Sequence, residues 1–507
     1  MTRVAAVDAR GTKRRAEPRP RPARDAPQPG VVHLTAEYWP LARTGGLGEA
    51  VNGLATYQAQ SGAATAVVMP LYRMVREKAS ALERVGPSFQ VTFGSRMEEG
   101  WLYRLPEDSG PRVYFIEHPD YFDRAAIYGD GADYPDNARR FAFFSLAAVQ
   151  ALPQIAPEAK ILHAHDWHTA LAIVYLRTRY GDRPFFRDLA AVLSVHNAGF
   201  QGHYPPETVT DLGLPAELFD WRVFEWYGRM NMLKGGLAFT DAAVTVSPTH
   251  AVELRTAEGG FGLQEVFTGL GDRLGGVLNG IDAEKWNPAV DPAVPTHFSS
   301  GDLAGKRACK AALQHAYGLI EDPDVPLFAM SARLVSQKGL DLVLGGDLLH
   351  RPDVQFIFLG AGERRYHDLL AAHADRSPDR VAVEFAFTDH LEHALLAGAD
   401  LLLMPSLYEP CGLTQMRAQR YGAIPVARRV GGLKDSIEHG RTGFHFTAYT
   451  PEALEEGVEQ ALAAYRDKRV WHAMVKRSMD LPFGWGGAAD RYQEIYRMAL
   501  SHRAGAR

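Results

Sequence analysis

The sequence predicts an α/β protein with two domains, each built on a mainly parallel sheet, and a cleft between them. The chain has 507 residues, which is too long for one domain of about 100–200 residues. From Val31 onward, short apolar runs alternate with helical patterns, and the alternation restarts near Leu327 after a proline-rich stretch. The runs are nearly continuous, which is typical of parallel strands that are covered on both faces.

Each domain has its own series of predicted strands. The N-terminal series comprises residues 31–37, 64–70, 113–117, 160–165, 190–196 and 242–247. The C-terminal series comprises residues 327–331, 354–359, 381–385, 399–405 and 424–427. Helices are predicted at residues 363–374, 410–421 and 488–499. The carboxyl ends of both sheets are expected to face the cleft, where ligands bind in such folds.

Composition also indicates the domain boundaries and excludes some classes of binding partner. Residues 1–30 are rich in Arg, Pro and Ala and are predicted to form a disordered basic tail. The domains are predicted at 31–285 and 301–485, with a hinge at 286–300. A net charge of −5 argues against a nucleic-acid partner. No apolar run approaches the ~20 residues that span a bilayer, so no membrane partner is expected.

The cysteine count and the start of the chain predict a cytoplasmic protein. Cys309 and Cys411 are the only two cysteines, so the fold is not held by disulfides and suits a reducing compartment. The first 30 residues contain no apolar segment of the kind found in secretory signals.

A glycine-rich loop follows the first strand and contains Arg43, Gly45 and Gly46. Glycines at a strand-to-helix turn let a ligand approach the backbone, and free N–H groups at a helix start favour anions. Arg43 adds a positive charge, so a diphosphate would suit this loop. The alternative is a tight connecting turn without a ligand.

The segment 163–168, His-Ala-His-Asp-Trp-His, ends a predicted strand. Three interpretations remain open: a metal site, side chains that hydrogen-bond beneath the cleft, and a sugar site that uses Asp166. Asp166 follows His165 directly, which does not fit metallohydrolase spacing. The next strand ends at His196 and Asn197, either as buried polar residues or as part of the site.

Two cations and a carboxylate follow strands of the second domain. Arg333 and Lys338 are five residues apart across a turn, so they can converge on a phosphate and stabilise charge on a leaving group. Glu409 precedes Pro410, which is predicted to lie in the first turn of a helix. Its carboxylate can hold sugar hydroxyls beside the free N–H groups of residues 411–414. The alternatives are solvated surface charges and a helix cap.

Together these segments resemble the bacterial glycogen synthase and plant starch synthase family, over about residues 30–490. The resemblance rests on segments that occur in the family's order: Glu37, 43–47, 163–168, 196–197, 234–236, 246–249, 278–282, 286–288, 333–340, 409–415, 421–422 and 431–433. It implies two Rossmann-like domains that face a cleft (the GT-B glycosyltransferase architecture), with a C-terminal helix, residues 486–507, that crosses back to the first domain.

The resemblance also implies an activity and a set of site residues. The activity is the retaining transfer of glucose from ADP-glucose to the non-reducing end of an α-1,4-glucan such as glycogen, with no metal or other cofactor. The implied catalytic residues are His196, Arg333, Lys338 and Glu409. The implied nucleotide-sugar-binding residues are Arg43, Gly45, Gly46, Asp166, Asn197, Asn279, Cys411, Gly412, Leu413 and Thr414.

Among the implied roles, Arg333 and Lys338 neutralise the donor diphosphate and Glu409 contacts the glucose. The His196 carbonyl lies near the anomeric carbon. Asp166 and Asn279 line the sugar site, and the backbone of residues 413–414 binds phosphate.

The sequence departs from the family at two positions of the glycine loop. Arg43 stands where the family usually has Lys, and Glu49 stands where it usually has Asp. Arg keeps the charge but binds anions with a planar fork instead of a point charge. These departures motivate an alternative function, a related glycosyltransferase with another donor, such as UDP-glucose, or a small phosphorylated acceptor. A further alternative is a catalytically silent glucan-binding protein.

Overall fold

The computed structural model describes residues 28–79, 81–106 and 110–506. The predicted basic tail therefore lies outside the described residues as far as residue 27, and the first strand already begins at Gly30. In the described part of the chain, every helix is too short or too polar to cross a membrane.

Over its described residues, the N-terminal domain has fifteen strands and ten α-helices. The strands are β1 Gly30–Leu34, β2 Thr65–Pro70, β3 Glu83–Arg84, β4 Phe89–Phe93, β5 Arg96–Arg104, β6 Arg112–Glu117, β7 Gly129–Asp130, β8 Ala132–Asp133, β9 Ala159–His165, β10 Ala190–Val195, β11 His203–Tyr204, β12 Glu225–Trp226, β13 Arg229–Asn231, β14 Ala242–Thr245 and β15 Leu274–Gly276. The helices are α1 Gly46–Gln60, α2 Arg73–Lys78, α3 Pro119–Phe122, α4 Asn137–Ile155, α5 Trp167–Thr178, α6 Pro184–Arg187, α7 Thr208–Asp211, α8 Met232–Phe239, α9 Pro248–Glu253 and α10 Gln264–Gly269.

The C-terminal domain and the end of the chain contribute six strands and nine α-helices. The strands are β16 Leu327–Ser331, β17 Gln355–Leu359, β18 Val381–Glu384, β19 Leu401–Met404, β20 Ile424–Arg428 and β21 Phe444–Phe446. The helices are α11 Ala304–Ala316, α12 Leu340–Gly345, α13 Arg364–Arg376, α14 Asp389–Gly398, α15 Thr414–Arg420, α16 Gly431–Ser436, α17 Pro451–Arg466, α18 Lys468–Met479 and α19 Trp485–Gly505.

Both domains are organised around a parallel sheet, which confirms the predicted fold class. The N-terminal sheet has the order β15-β14-β10-β9-β1-β2-β6-β5-β3 and is parallel from β15 to β6. The C-terminal sheet, β18-β17-β16-β19-β20-β21, is parallel throughout. All six strands predicted in the N-terminal domain are present at the predicted places. The same is true of the five strands predicted in the C-terminal domain, which are β16 to β20.

Several elements were not predicted from the sequence. Strands β3 to β5 add an antiparallel edge to the first sheet, and β11, β13 and β12 form a separate small sheet. Many of these strands have only two or three residues, too few to show a period of hydrophobic residues. The predicted hinge, residues 286–300, contains neither helix nor strand, and its role as a hinge stays a prediction.

The predicted helix at residues 410–421 is wrong at its start, since α15 begins only at Thr414. Gly412 has a φ of +69°, which an α-helix does not allow. The Glu409 carbonyl accepts a hydrogen bond from the Gly432 N–H at 3.1 Å instead of from a helical turn. Pro410 therefore lies in a loop, and Glu409 does not directly precede a helix.

Helix α19 packs against the sheet of the N-terminal domain rather than that of the C-terminal one. Its buried side chains, among them Tyr492, Ile495 and Tyr496, form a hydrophobic cluster with residues of β1, β9, β10, β14 and α1. Close packing is clearest at Gly53 of α1, where an added Cβ would lie 2.1 Å from the Trp485 indole nitrogen. The end of the chain thus completes the first domain.

We expect Gly53→Ala to lower the melting temperature, although Ala normally stabilises a helix by about 1 kcal/mol relative to Gly. The new methyl group overlaps the Trp485 ring, and overpacking of this kind costs about 1–3 kcal/mol. Gly487→Ala in α19 is the matched control, because its added Cβ has nothing within 4 Å. Equal melting temperatures for the two variants would contradict the close packing.

Candidate active site

The candidate site lies where the carboxyl ends of the two sheets face each other. Direct contacts join the domains there. The Ser247 hydroxyl donates to the Pro410 carbonyl at 2.7 Å, and the rings of Phe261 and Tyr408 meet edge to face, with centroids 5.0 Å apart. The residues that were predicted for the site follow β1, β9, β10 and β15 in the first domain and β16 and β19 in the second.

Lys338 and Glu409 form an ion pair on the C-terminal side. The Lys338 Nζ lies 2.6 Å from the Glu409 Oε2, which also accepts from the Ser406 hydroxyl at 2.9 Å. Gly339 allows the two loops to pack, since a Cβ there would lie 2.0 Å from the Pro405 carbonyl oxygen. Both donors use Oε2, so Oε1 has no protein partner among the described residues and is available to a ligand hydroxyl.

A glycine turn at Gly431 and Gly432 supports the Glu409 loop from behind. A Cβ at Gly431 would lie 2.0 Å from the Glu409 carbonyl oxygen, and one at Gly432 equally close to that of Cys411. Gly431 also has a φ of +42°, which favours glycine. The turn therefore lets the backbone of residues 409–411 lie closer to α16 than any side chain would allow.

Arg333 differs from Lys338 because its charge is free. It is exposed, and in the described part of the chain no carboxylate or other group pairs with it. It lies close to Tyr408: burial raises the pKa of the Tyr408 hydroxyl, and the positive charge of Arg333 partly offsets that rise. An unpaired guanidinium beside the Lys338–Glu409 pair can bind an anionic ligand without first breaking an ion pair.

Asp166 and His196 lie together on the N-terminal side because β9 and β10 are neighbours. The Asp166 Oδ1 accepts the backbone N–H of His196 at 2.7 Å. Asp166 has a φ of +58°, a strained conformation of the kind that clusters at functional sites. Burial raises its pKa to about 7, although the N–H groups of His196 and Asn197 act in the opposite direction. Asp166 thus positions the 196–197 backbone.

The metal interpretation left open for segment 163–168 can be examined at His163 and His165, which form a buried cluster with His33, a residue that the sequence did not single out. Each of their six ring nitrogens lies 2.7–3.0 Å from another polar side chain. Burial lowers the pKa of His33 to about 4 and holds those of His163 and His165 well below their usual value. The arrangement is that of neutral, mutually hydrogen-bonded rings, and a metal ion would have to displace these partners.

Arg43 belongs to a network of ion pairs between the domains. It pairs with Glu49 at 2.5 Å and with Asp389 of α14, and Glu49 also pairs with Arg417 of α15. Burial acts to raise the pKa of Asp389, but hydrogen bonds from Lys285 and Arg43 outweigh it and lower that pKa to about 2. Arg43 is therefore not a free cation like Arg333.

The glycine loop itself is partly occupied by a side chain of the protein. The Glu37 Oε2 accepts the backbone N–H of Thr44 at 2.8 Å and that of Gly45 at 3.2 Å. Gly46 lies across the cleft from Leu413, whose Cδ1 would be 3.6 Å from an added Cβ. The loop thus reaches the cleft, but the Gly45 N–H that was expected to bind phosphate is engaged by Glu37.

The remaining predicted binding residues surround residues 411–414. Asn279 is buried, and its Oδ1 has no hydrogen-bond partner within the described ranges. Burial raises the pKa of the Cys411 thiol to about 12, so it is not a nucleophile. Leu413 and Thr414 lie where α15 begins.

Sequence reasoning missed three residues that shape the cleft. Ser406 holds Glu409, Tyr408 meets the opposite domain, and Phe261 lies against Tyr408 with a φ of +50°. The only local signal was the Gly-Gly-Phe-Gly run at 259–262, which marks an unusual turn.

Comparisons with known proteins agree along nearly the whole chain. Residues 30–269 match the family described as the starch synthase catalytic domain, and residues 318–476 match glycosyl transferases group 1. A glycogen synthase of Anaeromyxobacter dehalogenans is 42% identical over 476 residues, or 92% of this chain and 99% of that protein. Glycogen synthase 2 of Geobacter sulfurreducens is 39% identical over 485 residues, or 94% of this chain and 100% of that protein.

Solved structures show the same similarity. The catalytic domain of starch synthase IV from Arabidopsis thaliana, bound to ADP and acarbose, superimposes with a TM-score of 0.86 at 32% identity. The match covers 94% of this chain and 100% of that one. Fold and site define a two-domain glycosyltransferase. The chain belongs to the glycogen and starch synthase family, and it is a glucosyltransferase that acts as a glycogen/starch synthase.

The pKa of Asp166 predicts a pH effect on stability. Because burial raises that pKa from 3.8 to about 7, the folded state binds more protons than the unfolded state in this window. This group therefore makes the free energy of unfolding fall as pH rises from 3.8 to about 7. Relative to wild type, Asp166→Asn should gain stability as pH rises there, by at most ~1.4 kcal/mol per pH unit.

Denaturant unfolding at several pH values across this window measures the effect. Asp272→Asn changes an exposed carboxylate and serves as the control, with a pH profile parallel to that of the wild type. A parallel profile for Asp166→Asn as well would mean that the carboxyl is not perturbed by burial.

Proposed function

We propose that the donor is ADP-glucose and that its glucose passes, with retention of configuration, to the non-reducing end of an α-1,4-glucan. The observation that carries the proposal is the unpaired Arg333: its charge and that of Glu409 both act on Tyr408, which hydrogen-bonds Asn197 of the other domain. The family supports it, since the starch synthase IV structure that this chain resembles is described as bound to ADP and acarbose.

The reaction would depend on charge at the leaving group. As the bond between glucose and phosphate breaks, negative charge grows on the phosphate oxygens, and cations that are already in place stabilise it. Arg333 would meet this charge with its whole guanidinium, and Lys338 would share its charge between phosphate and Glu409. Glu409 would hold a glucose hydroxyl through Oε1, while its Oε2 stays with Lys338 and Ser406.

A displacement on one face of the sugar fits these residues better than hydrolysis by two carboxylates. Glycosidases use a pair of carboxyl groups as acid and nucleophile or base. Here Asp166 is engaged by the His196 N–H, and Glu409 by Lys338. In the proposed step the leaving phosphate accepts the proton of the acceptor hydroxyl as that oxygen bonds to the anomeric carbon.

Three further points belong to the proposal. Since Arg333 and Lys338 supply the positive charge, we propose that no metal ion is required. The departures Arg43 and Glu49 pair with each other, which keeps the charge of the loop balanced and weakens the case for another donor. The free thiols of Cys309 and Cys411 support a cytoplasmic location.

A row of aromatic side chains suggests the path of the glucan acceptor. It begins at Tyr408 and Phe261 in the cleft and continues to Trp226, whose indole N–H donates to the Gly262 carbonyl at 3.2 Å. Tyr227 comes next, with its ring centroid 4.7 Å from that of Trp226, and it is 81% exposed. Aromatic faces offer large rigid contact areas, which suit the apolar faces of glucose rings. We propose that the acceptor chain lies along this row.

The donor proposal is tested by measuring ADP release from ADP-glucose with glycogen as acceptor. Arg333→Gln and Lys338→Gln should each lower kcat on the order of 100-fold or more, as expected when one transition-state donor is lost. Arg364→Gln, which changes an arginine that is 91% exposed, should leave the rate unchanged. UDP-glucose in the same assay should be the poorer donor, and chelators should have no effect. No ADP release, or full activity in Arg333→Gln, would refute the proposal.

The acceptor path predicts a selective kinetic defect. Tyr227→Ala should raise the KM for glycogen severalfold, because a stacking surface is lost, while the KM for ADP-glucose stays unchanged. Met97→Ala removes another exposed apolar side chain, 67% exposed, from β5 on the antiparallel edge of the sheet and should change neither value. An unchanged glycogen KM in Tyr227→Ala would remove Tyr227 from the acceptor site.

A further inference from the structure

An unbroken chain of hydrogen bonds runs from His196 at the cleft to helix α19. The His196 Nε2 lies 3.0 Å from the His165 Nδ1, and the His165 Nε2 lies 3.0 Å from the His33 Nδ1. The His33 Nε2 lies 2.8 Å from the Gln58 Oε1, and the Gln58 Nε2 donates to the Tyr496 hydroxyl at 3.0 Å. All members except His196 are at most 1% exposed, so water does not interrupt the chain.

All hydrogen bonds in this chain must donate in the same direction, because its histidine rings are neutral. Burial lowers the pKa of His33 to about 4 and that of His196 to about 3, and it holds the pKa of His165 well below its usual value. A neutral imidazole has one N–H group and one nitrogen that accepts. Each ring that donates from one nitrogen must therefore accept at the other. If the donor and acceptor are known at one end of the chain, the tautomer of every histidine in it follows.

Gln58 is the end that fixes the direction. Its amide N–H group donates to Tyr496, so its oxygen faces His33 and must receive the N–H of the His33 Nε2. His33 then accepts at Nδ1 from the Nε2–H of His165, which in turn accepts at Nδ1 from the Nε2–H of His196. The Nδ1 of His196 is left without a proton, and no described residue donates to it.

Tyr496 holds Gln58 in this orientation. Its hydroxyl accepts from Gln58 and lies 3.0 Å from the His163 Nδ1, to which it can donate. The His163 Nε2 then donates to the Ser194 hydroxyl at 2.7 Å. If the Gln58 amide turned over, every donor and acceptor from His196 to Ser194 would have to reverse together.

We propose that Gln58 and Tyr496 are positioning residues that hold His196 as the Nε2–H tautomer, so that its Nδ1 can accept a hydrogen bond from a donor-sugar hydroxyl. The use of this nitrogen by the sugar rests on the proposed function; the tautomer does not. Helix α19 thereby acts on the site through Gln58 of α1 and the histidines of β1 and β9. A chain that only satisfied buried polar groups would leave the tautomer of His196 without effect on the reaction.

The tautomer can be measured directly on the full-length protein labelled with 15N-histidine. Long-range 1H–15N spectra distinguish protonated from bare ring nitrogens, and the His196 signals are those that His196→Asn removes. We expect protonated Nε2 and bare Nδ1 in the wild type. Tyr496→Phe and Gln58→Met should give a mixture of both tautomers and lower kcat about tenfold, the factor that corresponds to one neutral hydrogen bond.

Tyr175→Phe is the matched control. It removes another buried hydroxyl of the N-terminal domain, which donates to the Leu212 carbonyl at 2.8 Å outside this chain of hydrogen bonds, and should lower the melting temperature comparably while the His196 tautomer and kcat stay as in the wild type. A wild-type His196 protonated on Nδ1, or an unchanged tautomer in both Tyr496→Phe and Gln58→Met, would overturn the proposal.

The two proposals fail in distinguishable ways. A shifted tautomer with unchanged kcat would overturn the role of His196 Nδ1 in the reaction. An enzyme that is inactive with ADP-glucose but carries the expected tautomer would instead refute the proposed donor.

Discussion

The candidate site depends on one geometric constraint: all strands of a parallel sheet end at the same edge. Strands β9 and β10 are neighbours, so Asp166 and His196 meet although their loops are separate in sequence. Strands β16 and β19 are also neighbours, and the loops that follow them bring Lys338 to Glu409, 71 residues further along the chain. The sheets build each half of the site, and the contacts between domains bring the halves together.

This constraint also explains how much of the protein could be predicted. Long, nearly continuous apolar strands are visible in the sequence, and the residues just after them are the candidates for the site. The start of α15 could not be predicted in this way. Residues 410–413 are held by the glycine turn of another segment, through the Gly432 N–H and the close approach to Gly431. Such tertiary contacts leave no periodic pattern in the segment that they shape.

Arg43 shows that ion pairs, too, cannot be predicted from the local sequence. Its local context, a cation in a glycine loop at a helix start, predicts an anion site. Its partners include Asp389, 346 positions away, and Glu49 is shared with Arg417, 368 positions away. No local pattern reveals such carboxylates. Arg333 has an equally ordinary context, yet its charge stays unpaired within the described chain. Which cation meets an anionic ligand is thus decided by tertiary neighbours.

The histidine segment 163–168 contributes more to the protein than its own strand suggests. Buried polar groups are costly unless they are paired, and here the pairing requires Gln58 from α1 and Tyr496 from the last helix. The buried polar side chains of the N-terminal sheet, His33, His163 and His165, therefore have all their hydrogen-bond partners only when α19 is docked. Because this chain of hydrogen bonds ends at His196, docking of α19 affects the hydrogen bonding of a residue in the cleft. Folding of the C-terminal end and assembly of the site are coupled for this reason.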